Sequence, residues 1–158
     1  MVHNVTGALT ALQAPPAPTD RWERPVPIGV STGNEGECSS GTIGVRVKGA
    51  GGALFALSNN HVYALENAAP IGSQVLQPGR FDLYDPDTNP SCSFSGTDVL
   101  GQLSAFEPLK FRGGFGNKID AAIASVTADD LGTATPVDGY GTPQSDPVAA
   151  VLGQAVQK

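Results

Sequence analysis

The segment from Thr42 to Ser58 constrains the fold most. Ile43, Val45 and Val47 alternate with Gly44, Arg46 and Lys48. That two-residue period gives one face to a core and the other to water, as a half-buried strand requires. Gly49–Ala50–Gly51–Gly52 supplies a turn, and Leu54 to Ser58 is the return strand. Together they predict an antiparallel hairpin. A lone hairpin is marginal in water and needs further strands. Candidates follow at Gln74–Gln77, closed by Pro78–Gly79, then at Val99–Phe106 and Ile119–Val126. With 20 Gly and 13 Pro among 158 residues, a helix bundle is excluded. Six or seven short strands without a long helix predict an all-β fold, a small barrel or sandwich.

The chain is long enough for one domain with a real core. Residues 1–24 read as an N-terminal arm. Val5, Leu9 and Leu12 form one face of a short helix, which Ala14–Pro15–Pro16–Ala17–Pro18 stops. Trp22, the only tryptophan, is expected to pack the arm onto the body. The body spans 25–158 and begins at Pro25–Val26–Pro27–Ile28–Gly29–Val30. Val62–Asn67 reads as one helical turn, 80–97 as a long Asp-, Pro- and Ser-rich loop, and 112–117 as a loop. Thr127–Gly132 reads as a capped turn, and Val148–Val156 as a final strand or a connection.

A net charge of −6 offers no basic patch for nucleic acid. No apolar run reaches the ~18 residues that span a bilayer, so no membrane partner is expected. The N-terminus lacks the basic start and apolar run of a signal peptide. The chain therefore reads as soluble, with the cytoplasm favoured and secretion possible; Asn4–Val5–Thr6 is a glycosylation sequon only on a secretory route. Cys38 and Cys92 lack CxxC spacing. They fit a disulfide or two buried thiols, and a Cys38–Cys92 bridge is the expectation carried forward. Asp82, Asp85, Asp87, Asn89 and Asp98 crowd one loop, but without the glycine or closing glutamate of an EF-hand. They are expected to form a solvated acidic loop; no metal and no cofactor is predicted.

The chemistry-bearing residues are His61 and Asp120. His61 follows Leu54–Ser58 through Asn59–Asn60, and Asp120 opens Ile119–Asp120–Ala121–Ala122–Ile123–Ala124. A histidine at one strand end and an aspartate before another, in that order, match the first two members of a His–Asp–Ser triad. The plain alternative is a capping or solvated histidine unrelated to Asp120. No convincing serine follows. Ser39 and Ser40 precede His61 and read as turn serines, and Ser58 is expected to bond the backbone. Cys38 would have to sit beside His61 to act as a nucleophile.

These residues resemble those of the chymotrypsin-like (trypsin-fold) serine peptidases, in a bacterial branch. The likeness is carried by Cys38–Gly44, Ala56–Ala64, Val75–Gly79, Ile119–Ala124 and Gly139–Pro143, and runs from about residue 25 onward. It implies an antiparallel six-stranded β-barrel with short helical turns, the first of two barrels flanking a cleft. It also implies that His61 is the general base and Asp120 its orienting carboxylate. The nucleophilic serine, the oxyanion hole and the specificity pocket would lie on a second, C-terminal barrel, in cis or on a separate chain. This chain is expected to hold only the first barrel and to be inactive alone. Its expected substrate, once complete, is a protein or peptide. The competing expectation is a non-catalytic β-barrel binding or scaffold module, or a regulatory fragment of a protease.

Overall fold

The computed structural model describes residues 14–112, 116–146 and 148–155. Seven strands form one antiparallel sheet: β1 (Ser31–Asn34), β2 (Gly41–Thr42), β3 (Val45–Lys48), β4 (Leu54–Ser58), β5 (Gln74–Leu76), β6 (Val99–Phe106) and β7 (Ala122–Val126). Their order is β2-β1-β5-β6-β7-β4-β3. One short helix, α1 (Asn60–Tyr63), follows β4, and 3₁₀ turns occupy 50–52, 80–83 and 96–98. The all-β, antiparallel expectation holds, with short helical turns as the only helix among the described residues.

The predicted hairpin is β3–β4, paired from Val45 opposite Leu57 to Lys48 opposite Leu54. The 42–48 stretch, read as one strand, divides at Ile43–Gly44. Its first part pairs with β1 and its second with β4. β4 also pairs with β7, Leu54 opposite Val126 and Ser58 opposite Ala122. Beneath the sheet, Val26, Ile28, Val30, Ile43, Tyr63, Val75, Leu100, Leu103 and Leu131 are buried in one cluster. Burial pushes the Tyr63 phenol well above its ordinary value, against a weaker opposing effect of Thr32. β6 crosses β7 at Gly101, where a Cβ would fall 2.1 Å from the Ser125 carbonyl oxygen. Only glycine permits that approach.

Several boundaries differ from the sequence reading. β1 was not foreseen, because Ser31–Thr32–Gly33–Asn34 carries no apolar pattern. All four residues are nevertheless buried. Thr32 Oγ1 donates to the Leu76 carbonyl (2.7 Å), and Asn34 Nδ2 donates to the Tyr63 carbonyl (2.7 Å), so their polar groups are satisfied inside. β7 begins at Ala122 rather than Ile119, and the helical turn begins at Asn60, so it contains His61 instead of following it. Thr127–Asp130 forms the capped turn, with Thr127 and Asp130 bonding reciprocally. Residues 148–155 carry no strand.

The arm is latched to the body. Ser31 N–H donates to the Pro18 carbonyl (2.8 Å). Gln77, itself buried, accepts from Trp22 N–H and donates to the Asp20 carbonyl. Trp22 packs partly buried against the core, as expected. Arg21 forks onto the fully buried Asp98 carboxylate, with Nη2 to Oδ2 at 3.0 Å. Burial drives the Asp98 carboxyl up, but the bonds from Arg21 and Ser95 outweigh it and hold it below the ordinary range. The Val5, Leu9 and Leu12 face lies outside the described residues.

Candidate active site

The β4–β7 register brings His61 and Asp120 together across 59 positions. Ser58 closes β4 opposite Ala122, which opens β7. His61 lies just beyond the first and Asp120 just before the second, so both leave the sheet at the same end. Asn59 is extended, and α1 starts at once. Val62 and Tyr63 are buried and anchor that turn, while His61 keeps 53% of its side chain exposed.

His61 Nδ1 lies 2.6 Å from Asp120 Oδ2. The other carboxylate oxygen accepts from Asn60 N–H (2.6 Å) and, more weakly, from His61 N–H (3.3 Å). Asn59 Nδ2 donates to the Asp120 carbonyl (3.1 Å). An ionised carboxylate can only accept, so Nδ1 carries the ring proton and Nε2 becomes the acceptor. That arrangement suits a base that takes a proton at Nε2 while Asp120 steadies the resulting charge.

Desolvation raises the Asp120 carboxyl. The His61 ring bond, the two backbone donors and the imidazolium charge together exceed it, so the group lies below its ordinary value. A carboxyl depressed by folding contributes stability above its unfolded value of about 3.9, and the contribution is lost as pH falls through the lower folded value. Carbon-detected NMR titration of the folded chain should therefore give an Asp120 midpoint below that of an ordinary aspartate. A midpoint at or above it would contradict this geometry.

Beside His61 opens a groove of about 480 Å³, lined by Glu37, Ser39, Ser40, Leu65 and Glu66 among others. Ser39 Oγ donates to Glu37 (2.9 Å), and Ser40 Oγ accepts from Asp82 N–H (3.3 Å). Among the described residues no serine hydroxyl bonds to His61. Ser58 Oγ donates to the Thr42 carbonyl (2.7 Å), the backbone role expected of it.

Cys38 and Cys92 form a disulfide with Cα atoms 5.8 Å apart, joining the segment before β2 to the acidic loop. Cys38 is thereby removed as a thiol nucleophile. The acidic loop is not wholly solvated: Asp98 is fully buried on Arg21, and other polar side chains bond within the loop or to β1. Asp85 accepts from the Asp87 and Thr88 N–H groups, and Asp82 from Ser31. Asn89 donates to the Leu83 and Ser93 carbonyls. Among the described residues no group of three His, Cys, Asp or Glu side chains is placed to hold a metal.

Sequence reasoning passed over Asn60 and Asn67. Asn60 is fully buried behind the His–Asp pair and bonds Asn67. The available signal was the Asn59–Asn60 pair directly before His61, where one polar residue would have sufficed to start the turn.

No family model, no curated protein and no solved structure matches this chain.

Proposed function

We propose that this chain is the His–Asp half of a trypsin-like serine endopeptidase, completed by a second barrel that carries the serine. The observation that carries the reading is the His61 Nδ1–Asp120 Oδ2 contact of 2.6 Å, with backbone donors on the opposite carboxylate oxygen. A merely solvated histidine needs no such arrangement. In the reaction His61 takes the serine proton through Nε2 and returns it to the leaving amine, while Asp120 stabilises the imidazolium.

The sheet supports a closed barrel of six strands. Its two outermost members, β2 and β3, are separated only by Ile43–Gly44. Ile43 exchanges bonds with Val30 and Gly29, while Gly44 N–H donates to the Leu57 carbonyl. On this reading β2 and β3 are two halves of one bent strand that seals the ring. Val137, Tyr140, Val148, Val151 and Leu152 remain exposed beyond the sheet, an apolar stretch suited to the second barrel. The disulfide favours an oxidising compartment over the cytoplasm.

The 158-residue chain alone should not react with a serine-directed fluorophosphonate probe, because among the described residues no serine hydroxyl is bonded to His61 and the oxyanion donors are assigned to the second barrel. Adding the complementary C-terminal barrel, in cis or in trans, should produce labelling that His61→Ala abolishes. Labelling of the isolated chain, lost on His61→Ala, would overturn the half-enzyme reading and move the nucleophile to Ser39 or Ser40. Failure of every complement to label would favour the non-catalytic module.

A further inference from the structure

We propose that Asn60 and Asn67 form a side-chain clasp that fixes Asp120 against His61, which makes both asparagines positioning residues of the proposed reaction. The inference rests on the triad reading above and deepens it.

Asn60 spends its whole side chain on this contact. Its Nδ2 donates to Asn67 Oδ1 (2.8 Å) and to the Glu107 carbonyl (2.7 Å). Its Oδ1 accepts from Asn67 N–H (3.1 Å). Asn67 passes the connection on: Oδ1 accepts from Leu109 N–H (2.8 Å) and Nδ2 donates to the Leu109 carbonyl (2.8 Å). Three separate pieces of backbone are thus tied together. They are the start of α1, the turn after it, and the first residues of the β6–β7 connection that carries Asp120 near its end.

The far end of that connection is held too. Lys110 and Asn117 bond reciprocally across it, and Asp120 accepts from Asn59, Asn60 and His61. Asn60 sits at both ends of the chain of contacts. Its backbone N–H meets the Asp120 carboxylate while its side chain meets Glu107 and Asn67.

The turn that carries Asn67 is unusual. Leu65, Glu66 and Asn67 have φ of 48°, 56° and 78° in succession. Asparagine tolerates that region, but leucine and glutamate do not favour it, because their Cβ crowds the carbonyl. Such a run persists only where its surroundings over-determine it, and the clasp does so here. A buried amide such as that of Asn60 is also a poor choice for stability alone, since apolar residues of similar shape often serve as well. Fully bonded, it specifies one arrangement. Leu65 and Glu66 line the groove beside His61, so the same clasp ties the groove wall to the carboxylate.

The test is histidine-selective NMR on the 158-residue chain, comparing Asn67→Gly and Asn60→Ala with the parent. Glycine keeps the left-handed turn and deletes the side-chain bonds of Asn67. The parent should show a single Nδ1-protonated His61 with a far-downfield, exchange-protected ring proton. In Asn67→Gly that proton should exchange with water roughly fivefold faster or more, the factor of one ordinary hydrogen bond, while β3 and β4 amide signals stay in place. A folded Asn67→Gly chain with the parent's tautomer and exchange rate would overturn the clasp. If the parent itself lacks the downfield proton, it is the His–Asp reading that fails. Should Asn60→Ala not fold, Asn67→Gly decides alone.

Discussion

Replacing Asp120 by asparagine should lower the turnover of the complemented protein by roughly 10⁴-fold, with the fold intact. The local donors explain why so conservative a change is so costly. Oδ1 of Asp120 already accepts from Asn60 N–H and His61 N–H. An asparagine must keep its carbonyl oxygen there, because an NH₂ group cannot accept. Its NH₂ then faces His61 Nδ1 and donates to it. The ring proton is forced onto Nε2, the atom that takes the serine proton in the proposed reaction. Steady-state kinetics should show the loss in kcat with KM little changed, and nitrogen NMR should show the exchanged tautomer. A kcat within about tenfold of the parent, in a protein that is otherwise active, would remove Asp120 from the mechanism.

Loss of the Cys38–Cys92 bridge should be the largest single stability change. The bridge closes a separation of 54 residues. Chain entropy for a loop of that length corresponds to about 4 kcal/mol. For a domain of this size that is a fall in Tm of roughly 8–16 °C. Arg80 spans the same junction, donating to the Cys92, Ser91 and Glu35 carbonyls, so the folded arrangement has a second fastening. The effect should therefore be felt mainly in the unfolded chain. Calorimetry of a Cys38→Ser, Cys92→Ser double variant measures it. A change below about 1 kcal/mol would show that the bridge constrains little.

The elements that sequence reading found are those with a surface. β3, β4 and β6 carry alternation or apolar runs because each has a face on the core, and period two is visible in residue types. β1 has no such mark. Its threonine and asparagine are buried because specific acceptors wait for them on β5 and α1, its serine because Asp82 of the 80–83 turn accepts from it, and those acceptors belong to distant sequence. The same reason hid the clasp. Asn60 and Asn67 read as turn residues, and only the 107–109 backbone against them gives them a task. His61 and Asp120 were legible through their strand-end positions and their order. Their 2.6 Å contact depended on a β4–β7 register that neither segment reveals alone.

That register also sets a timetable for synthesis. β3 and β4 can join as a local hairpin soon after they leave the ribosome, but β4 has a second edge that only β7 fills. At ~5–20 residues per second, β7 arrives several seconds later. During that interval Leu54, Phe55, Ala56 and Leu57 present an open apolar strand edge, the feature that invites mispairing with other chains. A nascent chain arrested before Ala122 should accordingly be the form that chaperones hold and proteases cut. Emergence of the Ala122–Val126 strand is then the single event that both covers this edge and delivers the carboxylate to its histidine.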